Sequence, residues 1–320
     1  MHLSEPRNSQ IRNSRRLQLQ ALITVALFLS GALTALSQPA ARAALGVRWN
    51  EGAKHCALEL PAPLQVHAYS PRTFIIRQNP CASGEANFMY LLIGKNQALL
   101  IDTGAVESPG AMPLAETVTG LLPDGGTGKI PLLVVHTHKH LDHRAGDAQF
   151  AGLAGVHLVP ADLDSIRQFF GFHSWPDGVA HLDLGGRVID VIPAPGHQDS
   201  HVVFYDNDTA LVFSGDFLMP GRLLINDRHA FQLSAVRILD YLHSRPVSHI
   251  LGGHIELSAT GEPYRFGSHY HPDERPLELS REDLQSLPAA VEHWNGFYKR
   301  YPHFILFNSK LEFIFAFGEL

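Results

Sequence analysis

Four histidines and one aspartate lie within the eight residues from His136 to His143, directly after the apolar run Leu132–Val135. The length and composition of that run are typical of a short buried strand, which would place the cluster in the loop at the strand's carboxyl end. A lone buried histidine is usually a packed core residue, but four imidazoles and a carboxylate in one short loop match the ligands that zinc prefers. The sequence therefore predicts a metal site in this loop.

Residues of the same ligand types stand at the ends of other apolar runs, namely Asp102, His197, Asp216 and His254. A glycine directly precedes the last three, and glycine allows the sharp backbone turn that would aim the next side chain at a common point. Each position alone is weak evidence, because glycine next to aspartate is common in turns. Their shared place at strand ends favours convergence with the histidine loop.

Short apolar runs alternate with helical patterns along the chain, and this alternation is typical of a layered α/β fold. Residues 87–93 and 97–101 are predicted to form a hairpin. Helical spacing predicts three helices, over residues 112–122, 161–170 and 231–242. In the second of these, Phe169 and Phe170 are expected to face inward. Residues 252–280 are rich in glycine, proline and polar groups and predict a long loop, which in a compact domain is usually functional or disordered.

The first 43 residues have the three parts of a secretory signal peptide. A start with four arginines and one acidic residue precedes an apolar stretch at about 17–36, and Ala41-Arg42-Ala43 forms a cleavage pattern. Ser14-Arg15-Arg16-Leu17 resembles the twin-arginine export motif, whose machinery moves folded proteins. The sequence therefore predicts a signal peptide over 1–43, a catalytic domain over 44–320, recognition by the export machinery, and a periplasmic or secreted product.

The alternative is that the apolar stretch is retained as a membrane anchor. A spanning helix needs about 20 strongly apolar residues, and this stretch contains two glutamines, two threonines and a serine. A cleavage pattern has no role in an anchor, so cleavage is favoured and no stable membrane span is expected.

Net charge limits the class of binding partner, and the cysteine count limits the kinds of disulfide or zinc module that the chain can form. The whole chain has a formal charge of −6, and removal of residues 1–43 leaves 20 basic and 30 acidic residues, a charge of −10. A nucleic-acid binder needs a basic face, so this charge argues against nucleic acid as a partner. Cys56 and Cys81 are too few for a cysteine-rich zinc module. They either pair in an oxidising compartment or remain buried thiols, and the disulfide is favoured.

The pattern His-x-His-x-Asp-His, formed by His138, His140, Asp142 and His143, resembles that of the metallo-β-lactamase superfamily, in particular its glyoxalase-II-like branch. Asp102 upstream and His197, Asp216 and His254 downstream follow in the order of that family, and the resemblance covers about residues 70–260. It implies a four-layer αβ/βα sandwich with the metals at the edge of two facing sheets. The chain departs from the family at Gln198-Asp199-Ser200, where small residues are common.

The resemblance also implies a ligand for each position. One metal falls to His138, His140 and His197, and a second to Asp142, His143 and His254, with Asp216 bridging the two. Asp102 is expected to hold a ligand histidine by a hydrogen bond without binding metal itself. His136 lies outside the family motif and is expected to be a strand-end residue or a neighbour of the ligands rather than a ligand.

The reaction implied is hydrolysis at a pair of divalent cations, with zinc as the expected metal and a shared hydroxide as the nucleophile. Asp142 is expected to be catalytic, because it would lie beside that nucleophile and could orient it or accept its proton. True zinc β-lactamases generally lack an aspartate at the bridging position, so Asp216 favours the glyoxalase-II-like and lactonase-like branches. The expected partner is a small-molecule substrate. Since the chain is predicted to be exported, an ester, lactone or amide is expected rather than a glutathione thioester.

Two other functions remain open from the sequence. A mononuclear iron oxygenase of the persulfide dioxygenase type uses part of the same ligand set on the same fold, and a β-lactamase uses much of it. The loop after His254 contains His269 and Tyr270, which are candidate pocket residues. The alternative for these two is an ordinary surface loop.

Overall fold

Two six-stranded sheets face each other in the part of the chain that the structure describes, which is residues 44–59, 61–126 and 128–311 of a computed structural model. The predicted signal peptide and its cleavage pattern lie outside these residues. Within them, no helix is both long enough and apolar enough to cross a membrane.

The strands of the first sheet lie in chain order, and the histidine loop follows its fifth strand, next to the last one. Its strands are β1 (Leu64–Ser70), β2 (Thr73–Gln78), β3 (Phe88–Ile93), β4 (Ala98–Ile101), β5 (Leu132–Val135) and β6 (Val156–Leu158). Neighbours from β1 to β4 are antiparallel, whereas β4, β5 and β6 run parallel. The predicted hairpin is confirmed as β3 and β4, with Leu92 opposite Leu99.

The second sheet has its strands out of chain order. Its strands are β7 (Ala180–Asp183), β8 (Val188–Pro193), β9 (Val202–Asp206), β10 (Leu211–Gly215), β12 (His249–Gly252) and β13 (Glu278–Leu279), and the third sheet consists of β11 (Arg222–Ile225), β14 (Tyr298–Arg300) and β15 (Ile305–Asn308). The spatial order is β13-β12-β10-β9-β8-β7 in the second sheet and β11-β15-β14 in the third. Because β10 and β12 are parallel, their carboxyl ends lie at the same sheet edge.

The described residues form six α-helices. They are α1 (Cys56–Glu59), α2 (Leu114–Leu121), α3 (Asp147–Phe150), α4 (Leu163–Phe170), α5 (Arg228–Leu242) and α6 (Arg281–Glu292), with 3-10 turns at Leu141–His143 and Ser309–Leu311. The three predicted helices correspond to α2, α4 and α5.

Three apolar clusters divide the interior. Alternate residues of the first sheet, such as Tyr90 and Val135, pack between the sheets against Phe213 of the second. The other face of the first sheet packs on α2, and the outer face of the second sheet packs on α5 and α6. Each large apolar side chain buried in this way contributes about 1.5–3 kcal/mol. The order helix, sheet, sheet, helix confirms the predicted four-layer αβ/βα sandwich.

The expectation that Phe169 faces inward is wrong, because this side chain is 36% exposed. Helix α4 has a narrow apolar stripe on which Ile166 is buried and Phe170 is partly buried against the core. These two residues are four apart and share one helix face, whereas Phe169 is rotated by about 100° from Phe170.

Residues 252–280 form the predicted long loop, with only the short strand β13 at its end. A buried ion pair holds this loop to β2, since the guanidinium of Arg77 binds both carboxylate oxygens of Glu274, with 2.6 Å between Nη2 and Oε1. His271 Nδ1 lies 3.1 Å from Glu274 Oε1, and its ring stacks on Tyr264. Side-chain contacts therefore order the loop together with backbone hydrogen bonds, such as that from Arg275 N to Leu257 O at 2.9 Å.

Cys56 and Cys81 form a disulfide, which confirms the favoured alternative. The bond ties α1 to the turn that leads into β3, and no free cysteine remains among the described residues.

Candidate metal centre

The histidine loop follows β5, at the edge of the sandwich where β8, β10 and β12 of the second sheet also end. His138, His140, Asp142 and His143 come from the first sheet's side, and His197, Asp216 and His254 come from the ends of those three strands. Gly253 permits the approach, because a Cβ at this position would lie 2.6 Å from Asp216 Oδ1 and 2.8 Å from His143 Cε1. The structure thus brings all seven residues together, in two overlapping groups.

The first group consists of His138, His140, His197 and Asp216, whose potential ligand atoms all lie within 4.8 Å of one another. His197 Nε2 is 3.2 Å from His138 Nε2 and 3.1 Å from His140 Nδ1. Asp216 Oδ2 is 3.6 Å from His197 Nε2 and 3.8 Å from His138 Nε2. Three imidazole nitrogens and one carboxylate oxygen therefore surround one point.

The second group consists of Asp142, His143, Asp216 and His254. Asp142 Oδ2 is 3.1 Å from His143 Nε2 and 3.3 Å from His254 Nε2. The other oxygen of Asp216, Oδ1, is 3.2 Å and 3.4 Å from the same two nitrogens. Asp216 therefore belongs to both groups and turns one oxygen toward each.

The outward-facing ring nitrogens identify the tautomers. The Nδ1 atoms of His143, His197 and His254 lie 2.9, 2.7 and 2.6 Å from Asp102 Oδ2, Leu224 O and Glu85 O, respectively. Carboxylate and carbonyl oxygens only accept hydrogen bonds, so each Nδ1 carries a hydrogen. In the neutral ring, each Nε2 then directs a bare lone pair toward the other ligand atoms.

This arrangement fits divalent cations. Lone pairs and carboxylate oxygens that face one another at about 3 Å repel unless a positive charge lies between them. Asp216 is buried, yet its Oδ1 makes no hydrogen bond of acceptable geometry within the described residues. Imidazole and carboxylate are ligands that zinc-type ions prefer, and the hydrogen bonds on the outward nitrogens are those that orient such ligands.

Without cations, protons supply the positive charge in the second group. Burial alone would lower the pKa of His254, but the carboxylates of Asp216 and Asp142 outweigh it and raise the pKa to about 10. The pKa of His143 is likewise raised, because Asp216, Asp142 and Asp102 outweigh its burial. Burial would raise the pKa of Asp142 and of Asp216, yet the neighbouring histidines lower both.

The first group behaves differently. Burial, followed by the charge of neighbouring histidines, lowers the pKa of His138 and lowers that of His140 to about 4. Burial also lowers the pKa of His197. These rings are therefore neutral near neutral pH and ready to bind a cation.

Asp102 and His136 lie next to the cluster and were both expected not to bind metal. Asp102 accepts hydrogen bonds from the backbone N of Thr137 at 2.7 Å, from Thr137 Oγ1 at 2.9 Å and from His143 Nδ1. It holds a ligand-type histidine, as expected, and lies outside both groups. His136 also lies outside them, with Nε2 2.8 Å from Asp147 Oδ1.

Asn87 and His201 contact the cluster without having been predicted from the sequence. The Nδ2 of Asn87, directly before β3, lies 3.3 Å from Asp142 Oδ2 and 3.4 Å from His254 Nε2. The buried ring of His201 stacks on His138 with 5.0 Å between centroids, and neither of its nitrogens has a hydrogen-bond partner in the described chain. An asparagine before a strand is a common turn residue, so sequence alone carried no signal for Asn87.

Gln198, at the departure from the family pattern, also contacts the cluster. Its side-chain amide lies against His140 Nε2, the ring nitrogen that faces away from the first group. The replacement of a small residue at this position therefore adds a partner for a candidate ligand.

The two candidate pocket residues lie elsewhere in the described contacts. His269 Nδ1 is 2.9 Å from Pro80 O, and the ring of Tyr270 lies 5.7 Å from Lys54 Nζ. Within the described ranges, no hydrogen bond or ring contact joins either residue to the two groups. Their role in a substrate pocket stays a prediction.

Comparison with known proteins identifies the family. The family model described as the metallo-beta-lactamase superfamily matches residues 83–292. The acyl-coenzyme A thioesterase MBLAC2 of Homo sapiens is 26% identical over 240 residues, which cover 62% of this chain and 83% of the relative. A hydroxyacylglutathione hydrolase of Cereibacter sphaeroides is 30% identical over 223 residues, 66% of this chain and 76% of the relative.

Among solved structures, a metallo-beta-lactamase from Pontibacter korlensis covers 72% of this chain and 100% of its own, with a TM-score of 0.50 and 19% identity. This likeness shows the fold alone. The family match extends over more than half of the chain and includes the histidine loop, His197, Asp216 and His254. The chain therefore belongs to the metallo-β-lactamase superfamily and is a hydrolase of that fold with a cluster of histidine and aspartate residues able to bind metal.

Proposed function

We propose that this protein is an exported hydrolase that uses two divalent cations, zinc in the first instance, to cleave an ester, lactone or amide bond of a small molecule. The observation that carries the proposal is the position of Asp216, whose two oxygens each face a separate set of ligand atoms. A carboxylate placed in this way can bridge two ions. His138, His140 and His197 would hold one ion, and Asp142, His143 and His254 the other.

When bound, such a pair of cations lowers the pKa of water and stabilises negative charge on a carbonyl oxygen. The protein's own contribution is to hold the ligands and to manage a proton. Asp142 is the most exposed carboxylate of the cluster, at 24% for its side chain, and its pKa is lowered despite burial. It is therefore ionised at neutral pH, and it would orient the attacking water and accept its proton transiently.

The class of bond follows from Asp216 and from the relatives. True zinc β-lactamases generally lack an aspartate at the bridging position, so we favour acyl esters and lactones over β-lactams. The names of the relatives, acyl-coenzyme A thioesterase and hydroxyacylglutathione hydrolase, add thioesters to the bonds worth testing.

The export part of the proposal rests on the signal-peptide pattern of residues 1–43. The disulfide between Cys56 and Cys81 supports it, because disulfides persist in oxidising compartments and are rare in the cytosol. Cell fractionation and amino-terminal sequencing of the mature protein test this part. We expect a periplasmic or secreted chain that begins at Ala44, and Arg15→Lys with Arg16→Lys should keep the precursor in the cytoplasm. A cytoplasmic, uncleaved chain would refute it.

The catalytic part is tested by metal analysis together with a substrate panel. We expect two zinc ions per chain and turnover of aryl esters, lactones or thioesters that is lost on chelation and restored by zinc. Phosphodiesters and β-lactams should be poor substrates. One iron per chain with oxygen uptake would overturn the proposal in favour of the mononuclear oxygenase, and β-lactams as the best substrates would overturn the choice of bond.

A further inference from the structure

A single buried carboxylate lies behind both ligand groups. Asp102 accepts a hydrogen bond directly from His143, which belongs to the second group, at 2.9 Å. The same oxygen, Oδ2, lies 2.9 Å from the hydroxyl of Thr137, and that hydroxyl lies 3.1 Å from His138 Nδ1. His138 belongs to the first group. Asp102 is therefore one hydrogen bond from a ring of the second group and two from a ring of the first.

The chemistry of these atoms sets the direction of each hydrogen bond. A carboxylate only accepts, so the single hydroxyl proton of Thr137 is donated to Asp102. The lone pairs of Thr137 Oγ1 then remain to accept a hydrogen from His138 Nδ1. This hydrogen bond selects the tautomer of His138 in which Nδ1 carries the hydrogen and Nε2 presents a lone pair to the first group. The rings of His143, His197 and His254 have the same tautomer.

Packing prevents the Thr137 hydroxyl from turning elsewhere. The backbone of Thr137 is fixed on both sides, since its N donates to Asp102 Oδ1 at 2.7 Å and its O accepts from Val202 N at 2.8 Å. Gly215 packs directly on this side chain, since a Cβ added to Gly215 would lie 2.6 Å from Thr137 Oγ1. Gly215 also has a φ of +51°, a conformation that favours glycine. Thr137 is itself fully buried.

We propose that Thr137 is a positioning residue whose hydroxyl links the Asp102 carboxylate to His138 through two hydrogen bonds. In this way one carboxylate orients one imidazole in each group. The proposal rests on the proposed function in so far as the two groups hold cations. Thr137 Oγ1 also lies 3.5 Å from His143 Nδ1, but the hydrogen of that nitrogen is donated to Asp102 Oδ2 at 2.9 Å. The hydrogen-bond partners of ligating histidines typically affect metal affinity by 10- to 100-fold, so loss of the hydroxyl should weaken the ion of the first group and spare that of the second.

The test is calorimetric titration of the demetallated full-length mature protein with zinc, for the wild type and for Thr137→Val and Thr137→Ser. We expect two sites in the wild type, with one site weakened about 10- to 100-fold in Thr137→Val and close to wild-type affinity in Thr137→Ser. Thr103→Val is the matched control, because Thr103 is equally buried but its hydroxyl donates to Asp147 Oδ1 at 2.8 Å rather than contacting a ligand-type ring. Its two affinities should be unchanged.

A second comparison identifies the site that is weakened. His254→Ala removes a ligand of the second group only, so Thr137→Val in that background should reduce the remaining zinc binding. Unchanged affinity in Thr137→Val, equal weakening of both sites, or equal weakening by Thr137→Ser would each overturn the proposed link. If Thr137→Val is unfolded by circular dichroism, Thr137→Ala is measured in its place. Fewer than two sites in the wild type would instead refute the dinuclear part of the proposed function, independently of Thr137.

Discussion

Asp102 and His143 are joined by a 2.9 Å hydrogen bond between two side chains that are almost completely buried. Asp102 adopts a left-handed backbone conformation, with a φ of +64°, which aspartate tolerates better than most residues. The carboxylate therefore reaches the ring of His143 from the end of β4 while its backbone N still bonds to Val135 of β5. The orientation of one metal-ligand candidate is thus built into the pairing of two core strands.

Replacing Asp102 with asparagine should weaken metal binding without removing any ligand. The amide keeps the size of the side chain but has only one accepting oxygen. It therefore cannot accept both from the Thr137 backbone N, which bonds to Oδ1, and from His143 and the Thr137 hydroxyl, which bond to Oδ2. We expect a 10- to 100-fold loss of zinc affinity in a chelator competition assay. Asp147→Asn is the control, because Asp147 accepts from His136 and Thr103 and from no candidate ligand. Equal losses in the two variants would contradict this role.

Metal binding should release protons and should become tighter as pH rises. In the metal-free protein the pKa of His254 is raised to about 10 and that of His143 is also raised, so both rings carry an extra proton near neutral pH. A cation must displace these protons, and its apparent affinity therefore increases with pH up to about the pKa of His254. Calorimetry in two buffers of different ionisation enthalpy should show release of about two protons on loading the second group. Binding without proton release would contradict the prediction.

Asp142→Asn should separate metal binding from turnover. The variant keeps a neutral oxygen ligand but loses the negative charge that can accept a proton, so we expect most of the metal to remain and kcat to fall about 10²- to 10⁴-fold. Metal content and kcat are measured on the same sample. Asp199→Asn is the control, since Asp199 pairs with Lys139 at the surface and its variant should keep kcat. Full activity in Asp142→Asn would remove the proposed role.

Asn87→Ala should lower kcat more than it changes KM. The Asn87 amide lies 3.3 Å from Asp142 Oδ2, and without it the carboxylate loses a fixed donor that aims it. A change of about 10-fold in kcat is expected for one lost charge-assisted hydrogen bond, with metal content unchanged. Asn79→Ala, which removes an amide bonded to the backbone of Ala62, is the control for stability. If both variants lower kcat equally, Asn87 acts only through folding.

Removing the disulfide should destabilise the amino-terminal part of the domain. The bond closes a loop with a sequence separation of 25, for which chain entropy gives a contribution of about 3–4 kcal/mol. Cys56→Ser with Cys81→Ser, or reduction of the wild type, should lower the midpoint of urea unfolding by the corresponding amount. An unchanged midpoint would show that α1 does not need the bond.

The sequence predicted the ligand cluster because the relevant residues stand at strand ends and strand ends of a layered fold meet at one edge. His197, Asp216 and His254 could be identified in this way although they are far apart in the chain. Thr137 was visible only as a member of the histidine loop, and its role depends on which atom of Asp102 it faces, which no local pattern encodes. Asn87 and His201 reach the cluster through sheet packing, so their contacts follow from the tertiary structure alone.

Local patterns also failed where two neighbouring side chains compete for one helix face. Phe169 and Phe170 are chemically the same, and both were expected to be buried, but a helix turns by about 100° per residue and only one can follow Ile166. The long loop at 252–280 was predicted correctly as a loop, yet its anchoring by Arg77 and Glu274 joins residues 197 positions apart and could not be read from composition.

Each ligand group draws two residues from the loop after β5 in the first sheet and two from strand ends of the second. Each bound cation would therefore link the two sheets, and a displacement of one sheet relative to the other would disrupt both coordination shells at once. Loading with metal should then stabilise the whole domain rather than only the residues around the site, because the ions proposed to support the reaction would also hold the two sheets together.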